Sequence, residues 1–187
     1  MNRTRARIER WGLLLLLGVM GTIWIIYSRE QTPVARTFLP EAPIVGLSAP
    51  AFTAVTLNGE TIALDDFVTV SGQAGVPVVL NFWASWCGPC RLETPHFQAL
   101  SLRYAGRVAI LGVNQGESLA TIEEFATSFG LTYPLVHDAD NQVNAAYQVF
   151  NLPTTIFIDR TGLVREVYVG AMSQGVLEDR IVGLLGE

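Results

Sequence analysis

Cys87 and Cys90 are the only two cysteines of the 187-residue chain, and they enclose the dipeptide Gly88-Pro89. Two thiols cannot complete a four-thiolate zinc site or an iron–sulfur cluster, and neither of the two histidines stands at the spacing of a zinc finger. A haem-attachment motif is also excluded, because Arg91 rather than a histidine follows Cys90. The residue types and their spacing therefore predict a dithiol that cycles to a disulfide.

The alternative to redox chemistry is a structural disulfide. Such a staple would be weak, because the stabilisation that a cross-link gives grows with the logarithm of loop length. A helical pattern begins at the dithiol, and the unpaired N–H groups at a helix start stabilise a thiolate. Cys87 is therefore the predicted attacking thiol, and Cys90, one turn inside the helix, is the predicted resolving thiol. Gly88 and Pro89 allow the bend into the helix. Trp86 is expected either to cover the apolar rim of the site or to pack in the core.

The segments around the dithiol alternate between strand and helix patterns. Strands are predicted at Val76–Trp83, Arg107–Val113, Tyr133–Val136, Thr155–Ile158 and Leu163–Val169. Helices are predicted from the dithiol to about Tyr104 and at Leu119–Phe129, Gln142–Tyr147 and Gln174–Leu185. Ahead of them, Asn58-Gly59 between two short strand patterns predicts a hairpin. This order predicts an α/β fold with a mixed central sheet and helices on both faces.

The first thirty residues have the pattern of a membrane anchor. Arginines at positions 3, 5, 7 and 10 precede an uncharged apolar run from Trp11 to Ser28, which is near the lower length limit for a spanning helix. No Ala-x-Ala-like cleavage site follows, so an uncleaved anchor is favoured over a secretory signal. The positive-inside rule places the N-terminus in the cytoplasm and the dithiol outside it, where disulfides persist.

These patterns divide the chain into a cytoplasmic basic segment at residues 1–10, a single transmembrane anchor at 11–28, a proline-containing linker at 29–45 and one domain at 46–187. The formal net charge is -5 although the first segment is basic, so the domain is acidic and nucleic-acid binding is not expected. The absence of lysine from the sequence excludes Schiff-base chemistry and a Walker phosphate site.

The dithiol and its flanks resemble a known superfamily. The segment Asn81-Phe82-Trp83-Ala84-Ser85-Trp86-Cys87-Gly88-Pro89-Cys90, with Glu93-Thr94-Pro95 after it, is similar to thioredoxins, and specifically to the membrane-tethered TlpA/ResA/CcmG (DsbE) type. The resemblance begins at about Gly46 and includes residues 46–52, 113–117 and 152–155. It implies a thioredoxin-like fold with an N-terminal β-hairpin extension and a βα insertion at about residues 118–149. It also implies no bound cofactor or metal beyond the Cys87–Cys90 disulfide itself.

The resemblance further implies roles for residues outside the dithiol. The Leu152-Pro153 bond is expected to be cis, to pack beside the disulfide and to present the Leu152 backbone to the substrate. Thioredoxins bury an aspartate that serves the resolving cysteine, but this chain has Asn81 there, which cannot titrate. Glu117, in a stretch where ResA-like members place a glutamate, is the candidate acid/base, and a solvated loop charge is its alternative. Glu93 is interpreted as a helix-surface or structural carboxylate, with a catalytic part as its alternative, and neither histidine is assigned a role.

The predicted function is an extracytoplasmic, membrane-tethered thiol:disulfide oxidoreductase that reduces disulfides of exported proteins. The resemblance implies apocytochrome c as the substrate during cytochrome c maturation, with electrons from a membrane thiol transporter. The Gly-Pro dipeptide resembles that of reducing thioredoxins, whose reduction potential is about -270 mV. It is less like that of strong oxidants, whose potential is about -120 mV. A peroxiredoxin-like peroxidase is one alternative, since it shares the fold and the Ala-Pro-x-Phe entrance, but residues 83–86 lack the threonine and proline it requires. A non-catalytic tethered binding module is the other.

Overall fold

The computed structural model describes residues 17–22, 24, 45–69 and 75–186. Its strands are β1 Thr53–Val55, β2 Thr61–Ala63, β3 Val78–Trp83, β4 Ala109–Gln115, β5 Leu135–Asp138, β6 Thr154–Ile158 and β7 Val164–Val169. Its helices are α1 Gly88–Arg103, α2 Leu119–Phe129, α3 Gln142–Ala146 and α4 Gln174–Leu185, and a short 3-10 turn covers Leu64–Asp66. The predicted order of elements is confirmed.

The central sheet has the strand order β5-β4-β3-β6-β7. β3 pairs in parallel with β4, and β4 with β5, whereas β6 is antiparallel to both β3 and β7. β1 and β2 form the predicted antiparallel hairpin, and an isolated bridge joins Thr56 to Val136 of edge strand β5. The mixed sheet, the hairpin extension and the α2-β5-α3 insertion agree with the predicted thioredoxin-like fold.

Prolines explain two differences between the predicted and observed strands. β3 begins at Val78 rather than Val76, and β5 begins at Leu135 rather than Tyr133. Pro77 and Pro134 precede these starts, and a proline has no N–H to donate to a sheet ladder. Their carbonyls still accept hydrogen bonds from β4, at 2.9 and 3.0 Å. Each proline therefore fixes where its strand enters the sheet.

β3 is buried along its whole length and separates two apolar clusters. Because successive side chains of a strand point to opposite faces, Val79 and Trp83 pack in the cluster that contains both cysteines, whereas Leu80 and Phe82 pack in the other. Each fully buried side chain of this size contributes about 1.5–3 kcal/mol to folding. Alternation also places the polar side chain of Asn81 on the face of the cysteines.

The helical residues 17–22 and 24 belong to a compact unit, Met1–Leu39, that is distinct from Pro40–Glu187. Large apolar side chains are exposed there, with Met20 at 64% and Trp24 at 75%. Within the described ranges, no helix is long and apolar enough to cross a bilayer. The segments predicted at residues 1–10, 11–28 and 29–45 lie mostly outside the described residues and stay predictions.

Candidate active site

The dithiol lies where the central strand β3 gives way to helix α1. Cys87 caps the N-terminus of α1, and its sulfur accepts a hydrogen bond from the Cys90 amide at 3.2 Å. Gly88 and Pro89 occupy the first turn, where the missing N–H of proline costs no helical hydrogen bond. The two cysteines form a disulfide, with Cys87 5% exposed and Cys90 1% exposed. Cys87 is thus the sulfur nearer to solvent, at the positive end of the helix dipole.

The loop before β6 contains Leu152 and Pro153. The Leu152-Pro153 peptide bond is cis, as the resemblance implied. Leu152 packs against the apolar cluster that contains Cys87 and Cys90. The Pro153 carbonyl accepts a hydrogen bond from the Gly170 amide at 2.8 Å, which ties this loop to the end of β7. The cis bond is thus confirmed, and the contact with the disulfide and the presentation of the Leu152 backbone to the substrate stay predictions.

Glu93 is the buried carboxylate of the site. It is 1% exposed and lies one turn after Cys90 on α1, so the two residues share a helix face. Asn81 Nδ2 donates to Glu93 Oε1 at 2.8 Å, and the Met172 amide donates to Oε2 at 3.0 Å. Burial raises the pKa of Glu93 to about 7, although the hydrogen bonds from Met172 and Asn81 lower it. A carboxyl group with this pKa can exchange a proton near neutral pH.

The helix-surface interpretation of Glu93 is wrong, because its side chain is buried, and the structural and catalytic interpretations stay open. Helical periodicity contained the signal, since Cys90, Glu93 and Phe97 recur at the spacing of one helix face and all three are buried. Asn81 does not titrate but donates to this acid, and its Nδ2 also reaches Thr155 Oγ1 at 3.2 Å. The buried acid here therefore comes from helix α1, while strand β3 supplies its amide partner.

Glu117 holds the turn that precedes the dithiol. Its carboxylate accepts hydrogen bonds from the Ser85 amide at 2.7 Å, from Ser85 Oγ at 2.5 Å and from Asn114 Nδ2 at 2.7 Å. Its carbonyl oxygen lies 3.1 Å from His137 Nε2. Glu117 is half-buried, so the alternative of a freely solvated charge is wrong. These contacts bond the Glu117 carboxylate to the turn before the dithiol, and its acid/base role stays a prediction.

The fold and this geometry are matched by known proteins. Residues 45–167 match the AhpC/TSA family. The chain belongs to that family. It is 40% identical over 168 residues to the thiol-disulfide oxidoreductase ResA of Geobacillus kaustophilus, a match that covers 89% of this chain and 88% of the relative. It is 34% identical over 180 residues to ResA of Bacillus subtilis, with 96% and 93% covered.

A solved structure of a disulfide oxidoreductase is also similar to this AhpC/TSA-family protein. The secreted disulfide oxidoreductase of Mycobacterium tuberculosis that is homologous to E. coli DsbE has a TM-score of 0.63 and 27% identity, with 71% of this chain and 95% of the other covered. Together with the Cys87–Cys90 disulfide, these relatives confirm a thiol-disulfide oxidoreductase of the ResA/DsbE type. The predicted resemblance and enzyme class are therefore correct.

Two aromatic side chains of this AhpC/TSA-family oxidoreductase are exposed near its reactive segments. Trp86, directly before Cys87, is 68% exposed, and Phe150, in the loop before Pro153, is 83% exposed. The core-packing alternative for Trp86 is thus wrong, and Trp83 is the tryptophan that packs in the core.

Proposed function

We propose that this protein reduces disulfides in exported proteins, on the extracytoplasmic side of a membrane to which residues 11–28 tether it. The observation that carries the proposal is a redox-active Cys87–Cys90 pair at a helix start with the buried Glu93 carboxylate one turn further along the helix. A relative described as secreted supports the location. In an oxidising compartment such a dithiol needs a source of electrons, which we propose is a membrane thiol transporter.

In the first step of the proposed reaction, the Cys87 thiolate attacks one sulfur of the substrate disulfide. The substrate S–S bond breaks as the Cys87–S bond forms, and the departing substrate thiolate takes a proton from water. The start of α1 stabilises the attacking thiolate through the helix dipole and through the Cys90 amide, which points at the Cys87 sulfur.

In the second step, Cys90 resolves the mixed disulfide. The Cys90 thiol gives its proton to the Glu93 carboxylate, and the resulting thiolate attacks the Cys87 sulfur. The bond between Cys87 and the substrate breaks, and the second substrate thiolate leaves and is protonated by Glu93. The substrate has gained two electrons and two protons, and the enzyme is left with the Cys87–Cys90 disulfide.

We assign this proton transfer to Glu93 rather than to the candidate Glu117. Glu93 has a pKa of about 7 because it is buried, so both its protonation states are accessible at neutral pH. The Glu117 carboxylate is instead occupied by three donors that hold the turn before the dithiol. Its proposed task is to orient the Ser85-Trp86 turn, and hence Cys87, for attack.

The proposed direction and pathway follow from the active-site dipeptide and the resemblance. The Gly88-Pro89 pair is that of reducing thioredoxins, which favours reduction over oxidation. The proposed substrate is apocytochrome c, whose haem-attachment cysteines must be reduced, and the proposed process is cytochrome c maturation. The ResA relative and the DsbE homologue support the thiol-disulfide oxidoreductase class, and their names give neither a direction nor a substrate.

A trapping experiment tests the substrate. In a Cys90→Ala variant of the full-length protein, Cys87 can attack but the mixed disulfide cannot be resolved, so substrates stay covalently bound. We expect capture of proteins with Cys-x-x-Cys-His motifs, and a Cys87→Ala, Cys90→Ala double variant is the control. A broad set of exported proteins would instead indicate general disulfide reduction. Full biological activity of Cys87→Ala would establish the non-catalytic binding module.

The AhpC/TSA match keeps a peroxidase as the second candidate. Its test is consumption of hydrogen peroxide by the reduced protein. Residues 83–86 supply neither the threonine nor the proline that a peroxiredoxin places before its reactive cysteine. We therefore expect peroxide consumption no faster than that of a free low-pKa thiol, and rapid turnover would favour the peroxidase.

A further inference from the structure

His96 is half-buried on α1, three residues after Glu93, and is bonded to a distant loop. Its Nδ1 lies 3.0 Å from the carbonyl oxygen of Met172. A carbonyl oxygen only accepts, so Nδ1 carries the hydrogen in this bond. The neutral Nδ1–H tautomer and the imidazolium both meet that requirement. His96 is therefore the donor of this bond and the Met172 carbonyl is the acceptor.

Met172 forms hydrogen bonds with both His96 and the buried acid Glu93. The Met172 amide donates to Glu93 Oε2 at 3.0 Å, and Met172 is itself only 2% exposed. It lies in the short loop between β7 and α4. The same loop contains Gly170, whose amide donates to the Pro153 carbonyl at 2.8 Å. One loop is therefore bonded to the cis-proline segment, to the buried acid and to His96.

The carboxylate form of Glu93 has few hydrogen-bond donors around it, so the bond from Met172 matters for its stability. Asn81 faces Glu93 from β3, the Met172 amide faces it from the loop, and Cys90 precedes it on α1. Burial, and after it the nearby charge of Glu93, raises the pKa of Tyr133 in the segment before β5. Of the described groups, only the hydrogen bonds from Met172 and Asn81 offset the effect of burial on its pKa. The loss of either donor would destabilise the carboxylate form.

We infer that His96 is a positioning residue for proton transfer: its imidazole holds the Met172 carbonyl, so that the Met172 amide stays on the Glu93 carboxylate. This inference rests on the proposed role of Glu93 in the reductase. When the His96 donor is removed, the Met172 peptide is less restrained and its hydrogen bond to the Glu93 carboxylate weakens. Glu93 then remains protonated to higher pH, so less of it can accept the Cys90 proton at neutral pH.

Two substitutions separate this role from simple packing. His96→Leu removes the donor but keeps an apolar body in the half-buried site. His96→Asn is the matched control, because its side-chain amide nitrogen occupies the position of Nδ1 and can still donate to the Met172 carbonyl. The direct measurement is the NMR titration of the Glu93 carboxyl carbon in the oxidised full-length protein, in which no thiol titrates.

The expected result is an upward shift of the Glu93 titration midpoint by about one pH unit in His96→Leu, the effect of weakening one charge-assisted hydrogen bond. His96→Asn should keep the wild-type midpoint. The inference is overturned if the two variants shift equally, or if His96→Leu lowers only the unfolding temperature. Because the oxidised protein does no chemistry, this outcome is independent of the proposed reaction.

A kinetic measurement connects the position of Glu93 to the reaction. Reduced full-length protein is mixed with the aromatic disulfide 5,5′-dithiobis(2-nitrobenzoate): the first thiolate released reports attack by Cys87, and the second reports resolution by Cys90. His96→Leu should move the pH profile of the second phase upward and leave the first unchanged. In a Glu93→Gln background, His96→Leu should have no further effect on the second phase, and a persisting shift would contradict the inference. A wild-type protein with no second phase would instead contradict the proposed function.

Discussion

Replacing Glu93 with glutamine should change how the stability of the protein depends on pH. The pKa of Glu93 rises from its ordinary value of 4.5 to about 7 in the folded protein, chiefly because the carboxyl group is buried. An acid with a raised pKa binds its proton more tightly when folded, so it stabilises the fold at low pH. That stabilisation declines as the pH rises from the unfolded pKa and is lost above the folded pKa.

The size of the effect follows from the same two values. One pKa unit corresponds to about 1.4 kcal/mol, and linkage over this shift gives a loss of about 2–3 kcal/mol in unfolding free energy between pH 5 and pH 8. Glutamine does not titrate, so Glu93→Gln lacks this contribution. Its amide also has a single, neutral acceptor oxygen, so one of the two donors, Asn81 or Met172, loses its acceptor, at a cost that does not depend on pH.

The assay is urea denaturation of the oxidised proteins at pH 5 and pH 8. The decisive quantity is the change in unfolding free energy between these two pH values. Wild type should lose about 2–3 kcal/mol more than Glu93→Gln over this interval. Glu117→Gln, which replaces a hydrogen-bonded carboxylate outside the Glu93 site, should keep the wild-type loss. Equal losses in wild type and Glu93→Gln would refute the buried, neutral-range acid.

Three further predictions concern direction, packing and substrate contact. Equilibration with glutathione buffers should give a potential close to that of reducing thioredoxins, and a value above about -150 mV would exclude the reductase direction. Gly112→Ala should destabilise the protein by about 1–3 kcal/mol, because its Cβ would lie 2.8 Å from the Leu135 side chain, whereas Gly183→Ala on α4 meets nothing within 4 Å and serves as the control in denaturation. Phe150→Ser should raise KM for a protein disulfide and leave the small aromatic disulfide rate unchanged, while Leu102→Ser, equally a loss of an exposed apolar side chain, should change neither.

Local sequence information was sufficient for most of the fold. Apolar runs located β3 and β4, and Asn58-Gly59 located the hairpin, because strand burial and turn geometry depend on nearby residues. Local contacts also explain why β3 and β4 begin two residues later than predicted. Pro77 delays β3, and the amides of Arg107 and Val108 bond to the Tyr104 carbonyl, closing the end of α1 instead of joining the sheet.

The roles of the carboxylates could not be predicted in the same way. Glu93 takes its pKa from burial and from Met172, a residue 79 positions away, and no local pattern encodes that contact. Glu117 was singled out by the resemblance, but its bonds to Ser85, 32 positions away, become visible only when β3 and β4 lie side by side. The role of the cysteines, unlike that of the carboxylates, could be predicted from the sequence, because their number and spacing alone restrict their chemistry.

The Asn81–Glu93 pair shows how this site can keep a buried acid without an acidic residue on its central strand. Asn81 lies on the cysteine face of β3, and Glu93 reaches the same place from α1, so the amide becomes a donor to the acid. A carboxylate on the helix lies on the same rigid element as Cys90 and is separated from it by about one turn. Any movement of α1 therefore carries the proposed resolving thiol and its proton acceptor together. The Met172 loop, by contrast, can change the pKa of Glu93 without changing the separation between Glu93 and Cys90. Substitutions of His96, which is bonded to this loop, can therefore test the second step of the proposed reaction without moving α1.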